Sequence, residues 1–271
     1  MKESKSDLRT LVAIAAFSLI LATMLHEHGG HALACFSLGG HLKELGAFYV
    51  DCQYDSVTSF GDRIVAFAGP LASFLWGLIA MFFFGRLSRK NSPLKFFLWH
   101  FGTVNLMIAA GYLLFSGVIG IGDLGLNRSG VFYQARPERL IRLGLVAIGA
   151  AAYFGVVLFS VRKMDTFIGG EKQERIDRAQ LLSLIAWLAG GVVAIAIGFL
   201  NPRGIIIVLI SSVASCVGGT SGLAWMMQLL DRKKVTGAEP FVLERSWAWI
   251  AASAVFLAFY AAVLGPTIFI K

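Results

Sequence analysis

The sequence predicts an all-α polytopic membrane protein of about seven transmembrane helices, with a short β-hairpin or re-entrant loop near residues 40–60. Three observations carry that expectation. Of the 271 residues, 57% are hydrophobic and 15% charged, whereas a soluble domain carries about 25% charged residues. Apolar runs of the ~20 residues that a spanning helix needs recur from one end of the chain to the other. The 24 Lys and Arg fall almost wholly in the short links between those runs, where they set topology. No link suits an appended soluble module, so residues 1–271 read as a single membrane domain: a core of three spans over 10–125 and four further spans over 141–270.

The first span is expected at about 10–35, with Thr10 to Ala34 as its body. From Gly39 to Arg63 the chain turns mixed, and Leu45-Gly46-Ala47-Phe48-Tyr49-Val50-Asp51-Cys52 has β-branched and aromatic residues without a helical period. This is the expected hairpin or re-entrant loop; at membrane depth such backbone must be shielded by protein or line a wet cavity. The second span, about 64–85, opens through Ala66-Phe67-Ala68-Gly69-Pro70-Leu71-Ala72-Ser73. Pro70 reads as a helix-start proline, and Gly69 with its small neighbours as a surface for close helix approach. A basic turn, Arg86 to Lys95, leads to a third span at about 96–122, whose glycine-rich last turns predict loss of regular helix just before Asp123.

The remaining spans are expected at about 141–161, 181–200, 205–230 and 247–270. Within the penultimate one, Gly218-Gly219-Thr220-Ser221-Gly222 reads as a packing seam in preference to a break. The charged link Arg162 to Arg178 reads as a solvated loop. Trp76, Trp99, Trp247 and Trp249 near span ends fit an aromatic belt, and His100 an interfacial position.

Composition also excludes. The formal charge of +8 does not indicate nucleic acid, because the cations are dispersed among links. Cys35, Cys52 and Cys216 cannot all pair and lack CxxC or zinc-finger spacing, so neither a disulfide framework nor a thiolate site is implied. On that reading Cys52 is a free loop thiol, open to an impermeant reagent. The first apolar run continues past any signal-peptide length, so a retained span is expected. Ala32-Leu33-Ala34-Cys35 faintly matches a lipid-attachment site, but processing there would remove the histidine cluster just before it.

That cluster is the costliest feature to bury. Leu25-His26-Glu27-His28-Gly29-Gly30-His31-Ala32 sets three of the five histidines and a carboxylate inside an apolar segment, and ionisable groups at membrane depth face a cavity and serve function there. His-Glu followed at short helical spacing by His is a zinc-hydrolase pattern, imidazoles as ligands and Glu27 as general base on a metal-activated water. A catalytic zinc needs about three protein ligands, and Asp123 is the best candidate for the third. It closes the third span, which runs parallel to the first, so both carry these groups in their far halves; the Gly69-Pro70 segment begins the intervening span at the same level. With the amino terminus cytoplasmic, two-thirds of the Lys and Arg fall on the cytoplasmic side, which sets the site in the non-cytoplasmic half. Arg128, Arg136, Arg139 and Arg142, after Asp123, run against that count.

Three pieces of the chain resemble the site-2 protease family of intramembrane zinc metalloproteases: His-Glu…Gly-His-Ala-Leu-Ala ending a span, Gly-Pro-Leu-Ala-Ser opening the next, and Gly-Asp-Leu-Gly ending the third. The mixed segment from Gly39 to Arg63 also resembles that family's hairpin. The resemblance covers about 10–125. It implies hydrolysis of peptide bonds in a transmembrane protein or peptide substrate, with Zn2+ held by His26, His31 and Asp123 and with Glu27 as base. Two departures stand out. The family motif HExxH has ligands four apart, whereas His26 and His31 are five apart. The Asn and Pro that the family carries before its Asp-Gly are missing here; Asn105 is too far along its helix to substitute, and Ser116 reads as back-bonding to its own helix.

On a regular helix His26 and His31 stand about 140° apart and His28 and His31 about 60°, so His28 is the alternative ligand. Gly29-Gly30, however, is where a helix most easily admits a π-type bulge, and the local sequence resembles the His-Glu-x-x-Gly-His arrangement of the dipeptidyl peptidase III family, in which both terminal histidines are ligands. The expectation is therefore His26 and His31 with a bulge between them. His41 in the loop is a weaker candidate for approach to the site, and Asp51 and Asp55 read as solvated. Two other function classes compete: a seven-span zinc-dependent lipid amidase, similar to the adiponectin-receptor and ceramidase group, and a catalytically silent metal-binding membrane protein or transporter.

Overall fold

In the computed structural model, which describes residues 6–53, 59–87, 92–231 and 238–270, the first apolar run forms one rod, α1 (Leu8–Ser37). Asp7 caps it, accepting from the N–H and the hydroxyl of Thr10 at 2.9 Å each. The rod is the centre of the core: Leu11, Ile14, Ala15 and Ile20 are fully buried. After the hairpin come α2 (Ser59–Arg86), α3 (Ser92–Ile119), α4 (Glu138–Asp165) and α5 (Gln173–Gly198). Then follow a bent pair, α6 (Leu209–Gly218) and α7 (Gly222–Leu229), and finally α8 (Trp247–Val263). α2, α3, α5 and α8 all pack on α1, and α4 packs along α3.

The fold is mostly helical, with several helices of membrane-spanning character. Among the described residues α1 to α5 are long and apolar enough to cross a bilayer, and α6 with α7 makes a sixth if the bent pair counts as one. The seventh expected span, α8, has only 17 residues. The chain bends by 42° at Gly218–Gly222, so the seam read as packing is also a break, as low helix propensity allows. It packs as well: a Cβ on Gly111 of α3 would stand 3.3 Å from the Gly219 Cα.

Other expectations are corrected by burial and pairing. α2 starts at Ser59, which puts Pro70 inside the helix and withdraws the donor due to the Ala66 carbonyl. The link from Arg162 to Arg178 is largely helical. Arg175 in it is 1% exposed, pairs with Asp165 and donates to the Asp231 carbonyl at 2.9 Å, as a buried guanidinium must. Trp99 is fully buried and its indole donates to the Ser160 carbonyl at 3.1 Å; His100 beside it is also buried. These two belong to the helix interior, whereas Trp76 and Trp247 remain exposed.

The mixed segment folds as β1 (His41–Leu45) and β2 (Val50–Gln53), antiparallel with Leu42 opposite Cys52 and a bulge between Leu42 and Glu44. A third strand, β3 (Ile268–Phe269), pairs with the other edge of β1, giving the order β2-β1-β3. The tip turns inward: Ala47 and Phe48 are buried, and Tyr260 of α8 donates to the Ala47 carbonyl. Protein thus shields the turn, as irregular backbone at membrane depth requires. At the other end Glu44 accepts from Arg203 at 2.5 and 2.9 Å and from Tyr49 at 2.9 Å. Cys35 and Cys52 form a disulfide, contrary to the reading of the cysteines as unpaired; only the fold-back of the hairpin brings them to a Cα separation of 6.0 Å. Cys216 is free and buried. Asp55 lies outside the described residues.

Candidate metal centre

α1 widens to a π-helix over Glu27–Ala32. The Leu33 N–H reaches the His28 carbonyl, an i→i+5 bond that absorbs one extra residue into the turn. His26 and His31 then share a face, with ring centroids 4.9 Å apart. Gly30 permits the approach of α2: a Cβ there would stand 2.6 Å from the Gly69 Cα. Gly69 in turn leaves room for the imidazoles, because its own Cβ would stand 2.3 Å from His31 Nε2 and 2.7 Å from His26 Nε2. The Gly-Pro segment opening the second expected span is therefore the wall of this site.

Asp123 arrives from the other side. α3 ends at Ile119, and the chain turns through Gly120 (φ 86°) and Gly122 (φ 94°), a conformation for which glycine has no steric penalty. Arg142 of α4 closes the end of α3, donating to the Gly117 carbonyl at 2.9 Å and to the Val118 carbonyl, where a cation suits the helix dipole. One of the arginines that ran against the charge count thus has a structural task beside Asp123.

The Asp123 Oδ2 lies 3.0 Å from His26 Nε2 and 3.3 Å from His31 Nε2, and the two Nε2 atoms are 3.2 Å apart. The far sides of the rings show what these atoms carry. His31 Nδ1 donates to the Val65 carbonyl at 2.7 Å, which fixes the proton on Nδ1 and leaves Nε2 a bare lone pair in the neutral ring. His26 Nδ1 lies 3.0 Å from the Ser73 hydroxyl, which can accept in the same way. Two imidazole nitrogens and a carboxylate oxygen this close are held together by a proton on an imidazole or by a cation among them. Tetrahedral ligands at 2.0–2.2 Å from an ion stand about 3.3–3.6 Å apart, only slightly more than the separations here, so the donor set fits a small divalent metal. Glu27 is buried, and His26, Glu27 and His31, with ligand atoms within 4.8 Å of one another, make a group that can hold an ion.

Thr23, His26, Glu27, Phe48 of the hairpin tip, Tyr112 and Cys216 line a cavity of about 20 Å³, room for about one water. Tyr112 stacks on His26 at 4.7 Å with the planes 13° apart. The structure therefore brings His26, Glu27, His31 and Asp123 together. It leaves His28 outside the triangle, with Nδ1 3.2 Å from the Met24 carbonyl. His41 is exposed at the start of β1 and Asp51 half-buried on β2. Asn105 donates to the Phe101 carbonyl of its own helix. Ser116 does not back-bond: its Oγ is buried with no partner among the described residues. Ser73, Tyr112 and Phe48 escaped the sequence reading. Only Ser73 carries a local signal, one helical turn beyond Gly69 on the same face.

No family model, curated protein or solved structure matches the chain.

Proposed function

We propose that the chain is a membrane-embedded zinc metalloendopeptidase of the site-2 protease kind, cleaving peptide bonds of membrane-protein substrates. The observation that carries the reading is the approach of His26 Nε2, His31 Nε2 and Asp123 Oδ2 to within 3.3 Å of one another, with Glu27 buried beside them. His26, His31 and Asp123 would hold the ion. Zinc, when bound, supplies a Lewis acid that acidifies water and polarises a carbonyl. Glu27 lines the one-water cavity; its carboxylate takes the proton of that water and returns it to the leaving amine. The Val65 carbonyl holds His31 in the tautomer that leaves Nε2 free, Ser73 anchors His26 through Nδ1, and Tyr112 covers the face of His26. Two histidines brought together within one π turn of a single helix favour this reading over the lipid amidase, whose ligands come from separated helices.

We also infer that the amino terminus is cytoplasmic and the site non-cytoplasmic. The Cys35–Cys52 disulfide sits at the site end of α1, and disulfides persist in oxidising compartments; the distribution of Lys and Arg favours the same orientation.

The test is the metal content of protein purified without chelator, together with cleavage of a transmembrane peptide by the wild type and Glu27→Gln. About one zinc per chain is expected in both, with turnover in the variant lower by at least ~10²-fold. Equal turnover in the two, or hydrolysis of a ceramide in place of any peptide, overturns the reading.

A further inference from the structure

The structure assigns the cleft between α3, α4 and the α6–α7 break as the subsite that takes large apolar side chains next to the scissile bond, presented by an unwound stretch of the substrate. The assignment rests on the peptidase reading and gives it a specificity determinant. The cleft has a volume of about 380 Å³ and runs along α3 from Gly111 to Ile119, facing Tyr153 of α4 and the segment from Ala214 to Gly219. Tyr112 and Ser215 line both this cleft and the small cavity at His26 and Glu27. Its inner end is therefore the wall of the candidate centre. At its outer end Val118 and Ile119 are 56% and 54% exposed, so it opens on the apolar flank of the bundle, where a substrate embedded in lipid would arrive.

Dimensions decide what fits. The nine helical residues from Gly111 to Ile119 span about 12 Å, the length of three or four extended residues at about 3.3 Å each. An intact helix, ~10 Å across, cannot bring its backbone to a cavity at Glu27 that has room for about one water. An extended chain lays alternate side chains into the cleft. The lining is apolar apart from a few hydroxyls, and one of these, Tyr153, already receives the Gly222 N–H at 2.8 Å. Nothing in it selects a charged side chain.

Gly219 offers a direct handle. A Cβ added there meets nothing within 4 Å, and Gly219 lines the cleft, so position 219 is where a side chain can be introduced at its wall. The experiment has two arms. In the first, protein carrying Glu27→Gln is photolysed with a transmembrane peptide bearing benzoylphenylalanine beside the scissile bond, and the adducts are mapped by mass spectrometry. In the second, Gly219→Ala and Gly219→Phe are assayed on peptides with Leu or Ala at that position. Adducts on 111–119 or 214–221 are expected. The preference in kcat/KM for Leu over Ala should fall by about tenfold in Gly219→Phe and less in Gly219→Ala, since apolar-pocket discrimination spans about 10–200-fold. Adducts confined to the hairpin or α2, or an unchanged preference, overturn the cleft and leave the peptidase reading standing. Absence of peptide cleavage by the wild type, or labelling of the cleft by a photoreactive ceramide with no peptide adduct, overturns both.

Discussion

Gly69 lies so close to His31 that a Cβ at position 69 would stand 2.3 Å from the imidazole Nε2. The space between the two imidazole rings and α2 therefore exists only because residue 69 has no side chain. Gly69→Ala should push His31 out of the triangle and lower zinc affinity on the order of 100-fold, the upper range for loss of a supporting contact. Competition titration with a zinc chelator reads this directly. Wild-type affinity in the variant would show that the rings do not need that space.

Ser73 holds His26 through Nδ1 at 3.0 Å. Ser73→Ala frees the ring to rotate and leaves its tautomer unset, so zinc affinity should fall about 10–100-fold while the fold persists. Ser73→Thr keeps the hydroxyl and should recover most of the loss. A Thr variant as weak as Ala would assign the effect to packing of the helix pair and not to the hydrogen bond.

Cys52 should not react with an impermeant maleimide until the disulfide is reduced, after which it should label from the non-cytoplasmic face, while the buried Cys35 stays unlabelled in the folded protein. Cys52→Ser removes a link closing 17 residues of chain, worth about 3 kcal/mol by loop entropy, and should lower the thermal midpoint. Labelling of reduced protein from the cytoplasmic face alone reverses the inferred orientation and leaves the metal site untouched.

Glu44 ties the hairpin to Arg203, and the hydrogen bonds from that guanidinium hold its carboxyl below the ordinary value of 4.5. A depressed folded-state pKa contributes stability that is complete above the unfolded value and is lost as pH falls through the folded one. With Arg203 half exposed, the contribution is under about 1 kcal/mol. The gap in thermal midpoint between wild type and Glu44→Gln should therefore be constant near neutrality and close progressively as pH falls below the ordinary value of 4.5. A gap that persists in strong acid would mean that Glu44 acts through packing.

Much of the candidate site was legible because its signals are local. The five-residue step from His26 to His31 across Gly29-Gly30 demands an extra residue in one turn, and the chain forms a π segment there. The mixed residues after Gly39 predict a hairpin, and β1 and β2 form one. Glycines before Asp123 predict a lost helix, and α3 stops at Ile119. The break at Gly218–Gly222 was harder, because small residues serve packing and bending alike, and here they do both.

The sequence by itself determined that this is a chain of long apolar helices carrying one costly cluster of imidazoles and carboxylates, since composition and periodicity act within a single span. Tertiary structure alone decided most of the meetings between distant groups. The pairing of Cys35 with Cys52, the support of His26 by Ser73 and the burial of Trp99 all depend on how the elements cross, whereas the parallel run of the first and third spans already places Asp123 near His26. Crossing is set by where backbones without side chains, such as Gly30 against Gly69, allow two helices to touch. No window of residues along one chain segment contains that information, because both partners of each contact lie on different elements.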